Sequence, residues 1–203
     1  MNIPTFLRDV NINRQLTEED IRYNKLCEKA KKDREARLKE TKKILFGYMQ
    51  SPSYGEMAED DGGFSIDVYK DGRVVYKTYI FHDIEKTTEV FYVSKKIISS
   101  IKKILEDNAH QIEDLERNID NGSCDGDMNN FIFKGKSVLV CNIDYSNEEF
   151  VKNQNINYYN KYLKEIRQQN FILDIFIRIQ KVLNDGGIKL NLYHVSFDLY
   201  NRK

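Results

Sequence analysis

Apolar and polar positions along this chain recur with two different periods, and the places where the period changes divide it into elements. Thr17-Glu18-Glu19-Asp20 reads as a helix start, a capping hydroxyl followed by acids near the positive end of the helix dipole. The helical pattern runs from there towards Met49. Its ends are apolar, with Leu16, Ile21, Tyr23 and Leu26 at one and Ile44, Leu45, Phe46, Tyr48 and Met49 at the other. Between them, Lys31 to Lys43 is polar nearly all round, broken only by Ala36 and Leu38. Such a helix projects into solvent or lies against a partner. Ser51-Pro52 ends it.

The period then falls to two. Phe64-Ser65-Ile66-Asp67-Val68 alternates, Asp71-Gly72 follows as a turn, and a second strand runs from Val74 to Phe81. Asp-Gly between alternating runs signals a type I′ hairpin, which would pair Val68 with Val75 and Phe64 with Tyr79. A third strand is expected over Thr88 to Val93. Ser94 can cap the next helix, whose stripe Ile97, Ile98, Ile101, Ile104, Leu105 and Ala109 extends towards Ile112 and Leu115. A turn-rich loop from Asp120 to Asn129 precedes a second hairpin. A type II′ turn at Gly135-Lys136 would pair Phe133 with Val138 and Phe131 with Val140. The other centre, Lys134-Gly135, sets Phe133 against Lys136 and is the less favoured of the two. A long helix spans about Tyr158 to Asn184. Its second half is apolar on most faces and is expected to be the most buried helix. Gly186-Gly187 stops it, and Ile188 to Phe197 forms a last strand.

The order α-β-β-β-α-β-β-α-β predicts an α+β fold. The expected architecture is an antiparallel sheet of about five to six strands built from two hairpins, with helices mainly on one face and a long N-terminal helix. Residues 1–50 would form a helical arm, partly exposed, and residues 51–203 the α+β core.

Composition agrees with a folded chain. Of the 203 residues, 40% are hydrophobic and 12% aromatic, with 13 Tyr, 11 Phe and no Trp. That is too many large apolar side chains for a disordered protein. Its 32 basic and 32 acidic residues balance, which removes the simplest electrostatic argument for a general nucleic-acid binder. The charge is nevertheless segregated. Lys25, Lys29, Lys31, Lys32, Arg34, Arg37, Lys39 and Lys42 crowd the first helix, against Glu28, Asp33, Glu35 and Glu40. Asp107, Glu113, Asp114, Glu116, Asp120 and Asp125 mark an acidic stretch in which Arg117 is the lone base. Cys27, Cys124 and Cys141 form no CxxC, no apolar run suits a signal peptide or a membrane span, and a cytoplasmic protein is expected. Abundant Lys, Asn, Ile and Tyr fit the AT-rich codons of a low-GC bacterium or phage.

Candidate chemistry is sparse. Asn121-Gly122-Ser123-Cys124-Asp125-Gly126-Asp127 places oxygen side chains as the first half of a calcium loop does. It has Asn at the first position, Ile132 where the bidentate Glu belongs, and a strand where the exit helix belongs, so a tight turn is the simpler reading. Cys124 sits among acids, which oppose thiolate formation, and Cys141 reads as a small buried strand residue. His82, His110 and His194 share no ligand spacing, and His194 is expected to be half buried in a strand. No glycine loop for phosphate is present. Catalytic residues, metal and cofactor are accordingly expected to be absent.

What is left is binding. The expected role is a macromolecule-binding protein of inhibitor or immunity type, with a protein as the first-choice partner. Lys29, Lys32, Arg34, Arg37 and Lys39 form one candidate surface, and Glu113, Asp114, Glu116, Asp120, Asp125 and Asp127 the other. The alternatives are an enzyme built on His82, Cys124 and nearby acids, with or without a metal, and nucleic-acid binding through the first helix. Against the basic surface stands intrahelical pairing of Glu28 with Lys32 and Glu35 with Lys39.

Overall fold

The computed structural model describes residues 17–51, 62–80, 84–120, 127–141, 143 and 148–197. Helix α1 spans Glu18–Glu40 and begins as expected: Thr17 and Asp20 form a reciprocal capping box. It stops nine residues short of Met49. The Thr41 hydroxyl donates back to the Arg37 carbonyl at 2.9 Å, a tight 3-10 turn covers Thr41–Lys43, and the chain becomes strand β1, Ile44–Ser51. The run Ile44 to Met49 therefore belongs to a strand, not to the end of a helix. A strand buried on both faces has no period of two to show, so a short apolar run fits either element.

That strand is the centre of the molecule. Strands β2 (Phe64–Tyr69), β3 (Arg73–Ile80) and β4 (Ile84–Tyr92) lie on one side of it; β6 (Met128–Phe133), β7 (Lys136–Cys141) and β5 (Asn118–Asp120) lie on the other. The sheet has seven strands in the order β4-β3-β2-β1-β6-β7-β5. All neighbours are antiparallel except β5 and β7, which run parallel. The expected five- to six-stranded antiparallel sheet thus gives way to a mixed one, because β1 joins the two hairpins and β5 extends the far edge. A second sheet of two strands, β8 (Ile188–Leu190) and β9 (Val195–Phe197), replaces the single C-terminal strand.

Both hairpin registers differ from expectation, for reasons visible in the turns. Val68 pairs with Val74, not Val75, and Phe64 with Thr78, not Tyr79. Gly72 has φ +94° while Asp71 does not adopt positive φ, so the connection is a three-residue loop rather than a type I′ pair. In the second hairpin Phe133 pairs with Lys136 and Phe131 with Val138. Lys134 accepts positive φ (+49°) beside Gly135 (+91°), so the two-residue turn is centred on Lys134-Gly135. The slip of two leaves the inward faces unchanged; the slip of one does not.

One face of the sheet carries the main core. Phe46, Tyr48, Phe131 and Phe133 meet Phe176 of helix α5 (Ile156–Asp185), with Tyr48 and Phe176 ring centroids 5.1 Å apart. Helix α2 (Lys95–Asp107), capped by Ser94, adds Ile97, Ile98, Ile101, Ile104 and Leu105. The short helices α3 (Ala109–Asp114) and α4 (Glu148–Gln154) flank these, and Phe197 of β9 stacks on Phe91 of β4. The longest helix is the C-terminal α5, at 30 residues against 23 for α1. The opposite face is served by α1 and holds a smaller apolar cluster, Ile44, Tyr69, Val75 and Ile132.

Candidate functional site

The face under α1 is unusually polar. Residues of β2 alternate, so Phe64, Ile66 and Val68 enter the main core while Ser65, Asp67 and Tyr69 turn towards α1. Arg37 reaches down from the helix and grips Asp67 with two nitrogens, Nε to Oδ2 at 3.3 Å and Nη2 to Oδ1 at 3.0 Å. Its third nitrogen approaches Met49 Sδ at 2.9 Å. The Asp67 side chain is only 4% exposed, so its charge depends on this partner. Burial alone would lower the Arg37 pKa, but the adjacent Asp67 carboxylate overrides it and holds the guanidinium charge more firmly. Beside the pair, Ser65 Oγ and Tyr79 Oη lie 2.8 Å apart. Glu40 adds a longer contact to Arg73 at 3.7 Å, and Arg73 covers the Tyr69 ring at 4.0 Å. Burial, then Asp67 and Glu40, push the Tyr69 phenol up to about 12.

Of the basic residues expected at a partner surface, Arg37 is therefore turned inward as the anchor of α1. Lys29, Lys32 and Lys39 are exposed. Arg34 belongs to α1, with its side chain outside the described part. The pairs Glu28–Lys32 and Glu35–Lys39 do not form among the described residues, whose ion pairs lie elsewhere. The acidic residues divide more widely. Glu113 and Asp114 are exposed at the end of α3, Asp114 beside His110 at 3.1 Å. Glu116 bonds Lys164 of α5, Asp120 is exposed at the end of β5, and Asp127 accepts from Gln50 at 3.2 Å. Asp125 lies outside the described residues.

A cavity of about 410 Å³ opens where the end of the basic helix meets the acidic stretch. It is lined by Thr41, Lys42, Arg117, Gly135, Lys136, Ser137 and Leu139. Three of these are cations and none is an acid. Lys136 donates from Nζ to the carbonyls of Ile112 (2.8 Å), Glu113 (2.5 Å) and Leu115 (2.7 Å), closing the C-terminus of α3. All three of its protons are committed, yet to neutral acceptors, so its charge stays uncompensated. Lys42 and Arg117 are exposed and have no side-chain partner among the described residues. This site was not legible as a motif, because its cations come from positions 42, 117 and 136. The one available signal was Arg117, alone among acids.

The enzymatic alternative rests on residues that the described positions do not cover. His82, Cys124 and the turn-rich loop 121–126 lie outside them. His110 is on α3. His194 is exposed in the turn between β8 and β9, where it was expected half buried in a strand. Burial, then Asp120, raise the Cys141 pKa, and its Sγ lies 3.6 Å from Met128 Sδ. No group of three metal-ligating side chains occurs among the described residues. No helix among them is long and apolar enough to cross a membrane. No known protein family matches the chain, and no curated protein was found to resemble it.

Proposed function

We propose that this protein acts by binding another macromolecule, a protein first of all, through the exposed side of α1 and the acidic edge around α3 and β5. The observation that carries the reading is that Lys32 and Lys39 remain unneutralised by Glu28 and Glu35 on their own helix. Lysines without a counter-ion among the described residues offer a partner charge that has not already been spent. The same molecule shows Glu113 and Asp114 at the opposite sign. Arg37 and Asp67 hold the C-terminal end of α1 on the sheet, so the rest of the helix is presented from a fixed base. An inhibitor or immunity-type factor of the cytoplasm would work in this way, by steering and charge complementarity rather than turnover.

Capture from host lysate tests it, with the wild-type chain beside a Lys29→Glu, Lys32→Glu, Lys39→Glu variant. A partner held by the first and lost by the second, with binding that weakens as salt rises, is the expected result. Equal recovery by both chains overturns the use of α1. Nuclease treatment of the lysate separates the two classes of partner: a nucleic acid disappears, and a protein stays.

A further inference from the structure

The cavity beside α3 is built for a ligand of another kind. We infer that the Lys42–Arg117–Lys136 cavity binds a phosphate group, the dianionic end of a phosphorylated ligand. The inference stands apart from the use of α1, since none of the three α1 lysines above lines the cavity. Its first support is charge. The lining contributes three cations and no carboxylate, a balance that a dianion satisfies better than a single carboxylate.

The second support is the division of labour among the cations. Lys136 is locked by three carbonyls and has no proton left to give, so it supplies a fixed positive field at the wall. Lys42 and Arg117 have all their donors free among the described residues and stand at the rim. A planar guanidinium is suited to two parallel bonds to phosphate oxygens, and a lysine ammonium to a third. Gly135 keeps the floor close. A side chain there would meet Lys42 Cα at 3.3 Å and the Thr41 carbonyl at 3.5 Å, so the β6–β7 turn can sit against the 3-10 turn that precedes β1. The Lys134 amide donates to the Leu45 carbonyl at 2.9 Å and fixes that approach. Of the acids nearest in the chain, Glu40 pairs with Lys43, Asp114 lies beside His110 and Glu116 bonds Lys164, and neither they nor Glu113 line the cavity.

Isothermal titration calorimetry with inorganic phosphate in low-salt buffer tests the site, using the full chain. Arg117→Ala and Lys42→Ala remove exposed side chains that have no partner among the described residues, and both variants are expected to fold as the wild type does, checked by circular dichroism. Each is expected to weaken phosphate binding about tenfold, the loss of one charge-assisted bond. Lys103→Ala, which removes an exposed charge from α2 outside the cavity, is expected to leave it unchanged. Acetate serves as the monoanion and should bind less well. Parallel titrations with a nucleoside 5′-monophosphate and a phosphoserine peptide identify the source. Tighter binding than free phosphate by either, still lost in Arg117→Ala, assigns it; no gain from either leaves inorganic phosphate as the ligand. Absence of binding by all three phosphates, or equal binding by wild type and both cavity variants, overturns the inference.

Discussion

Gly47 of β1 lies directly across the strand pair from Asp67 of β2, and a methyl group at Gly47 would stand 2.6 Å from the Asp67 carboxylate. The absent side chain makes room for the only acid buried in the sheet among the described residues. Gly47→Ala should therefore act through the ion pair. The added carbon would also meet Ile132 at 3.1 Å, so neither neighbour gives way without cost. A loss of about 1–3 kcal/mol is expected, the usual cost of overpacking, read as a lower midpoint in urea unfolding. A midpoint equal to the wild type's would mean that Asp67 moves aside freely, and the pair would lose its structural weight.

Removing the partner instead of crowding it should cost more. Arg37→Ala leaves the Asp67 carboxylate buried without a counter-charge, and about 3 kcal/mol of stability should go with it. Arg37→Ala combined with Asp67→Ala should recover part of that loss, because the stranded charge is gone. A double-mutant cycle by urea unfolding measures the coupling. Strictly additive losses would show that the contact contributes no coupling.

How much of this was visible beforehand depends on the range over which each signal acts. Local chemistry came through: the Thr17 and Ser94 caps, the Ile97 to Leu105 stripe and the Gly186-Gly187 stop all depend on neighbours in sequence. The strand β1 did not, since Ile44 to Met49 has no polar positions to reveal a period, and its identity is fixed only by β2 and β6 on either side. Strand β5 escaped because one buried residue, Ile119, carries it between exposed Asn118 and Asp120. The second hairpin is centred one residue earlier than expected, because Phe133 does pair with Lys136 rather than with Val138, and Lys134 takes the left-handed conformation that this turn requires. Arg37 was counted as surface charge for a comparable reason: its partner Asp67 lies thirty residues away, beyond any helical spacing.

Lys136 supports a further prediction. Three carbonyls at the end of α3 rely on its ammonium, so Lys136→Met keeps the stem and deletes all three bonds. The contacts to Ile112 and Leu115 are partly buried and the one to Glu113 is exposed, and about 1–3 kcal/mol should be lost. Hydrogen exchange should quicken at the α3 amides first, with α2 and α5 still protected. Unchanged exchange at α3 would show that water replaces the lysine at no cost.

Alkali should unfold the chain through its buried phenols. Burial raises Tyr48, Tyr69 and Tyr79 above the ordinary 10.0, with Tyr69 at about 12. Between pH 10 and those higher values the folded chain binds more protons than the unfolded one, so stability falls as pH rises. Below pH 10 the contribution is present in full. Tyr48 is the most constrained of the three: its hydroxyl lies 2.8 Å from Asn129 Oδ1 and 2.7 Å from the Leu192 carbonyl, between β6 and the turn after β8. Its ionisation would set a phenolate against both acceptors, and that is what should tie the late phenols to loss of structure. In a pH titration, the last rise in phenolate absorbance is expected to coincide with the loss of far-ultraviolet circular dichroism. Tyr48→Phe should lower neutral-pH stability by about 1–2 kcal/mol, because the one proton that the hydroxyl offers to its two flanking acceptors is lost, while reducing the late absorbance step. Complete ionisation of every tyrosine with the dichroism intact would show that these phenols do not hold the sheet together.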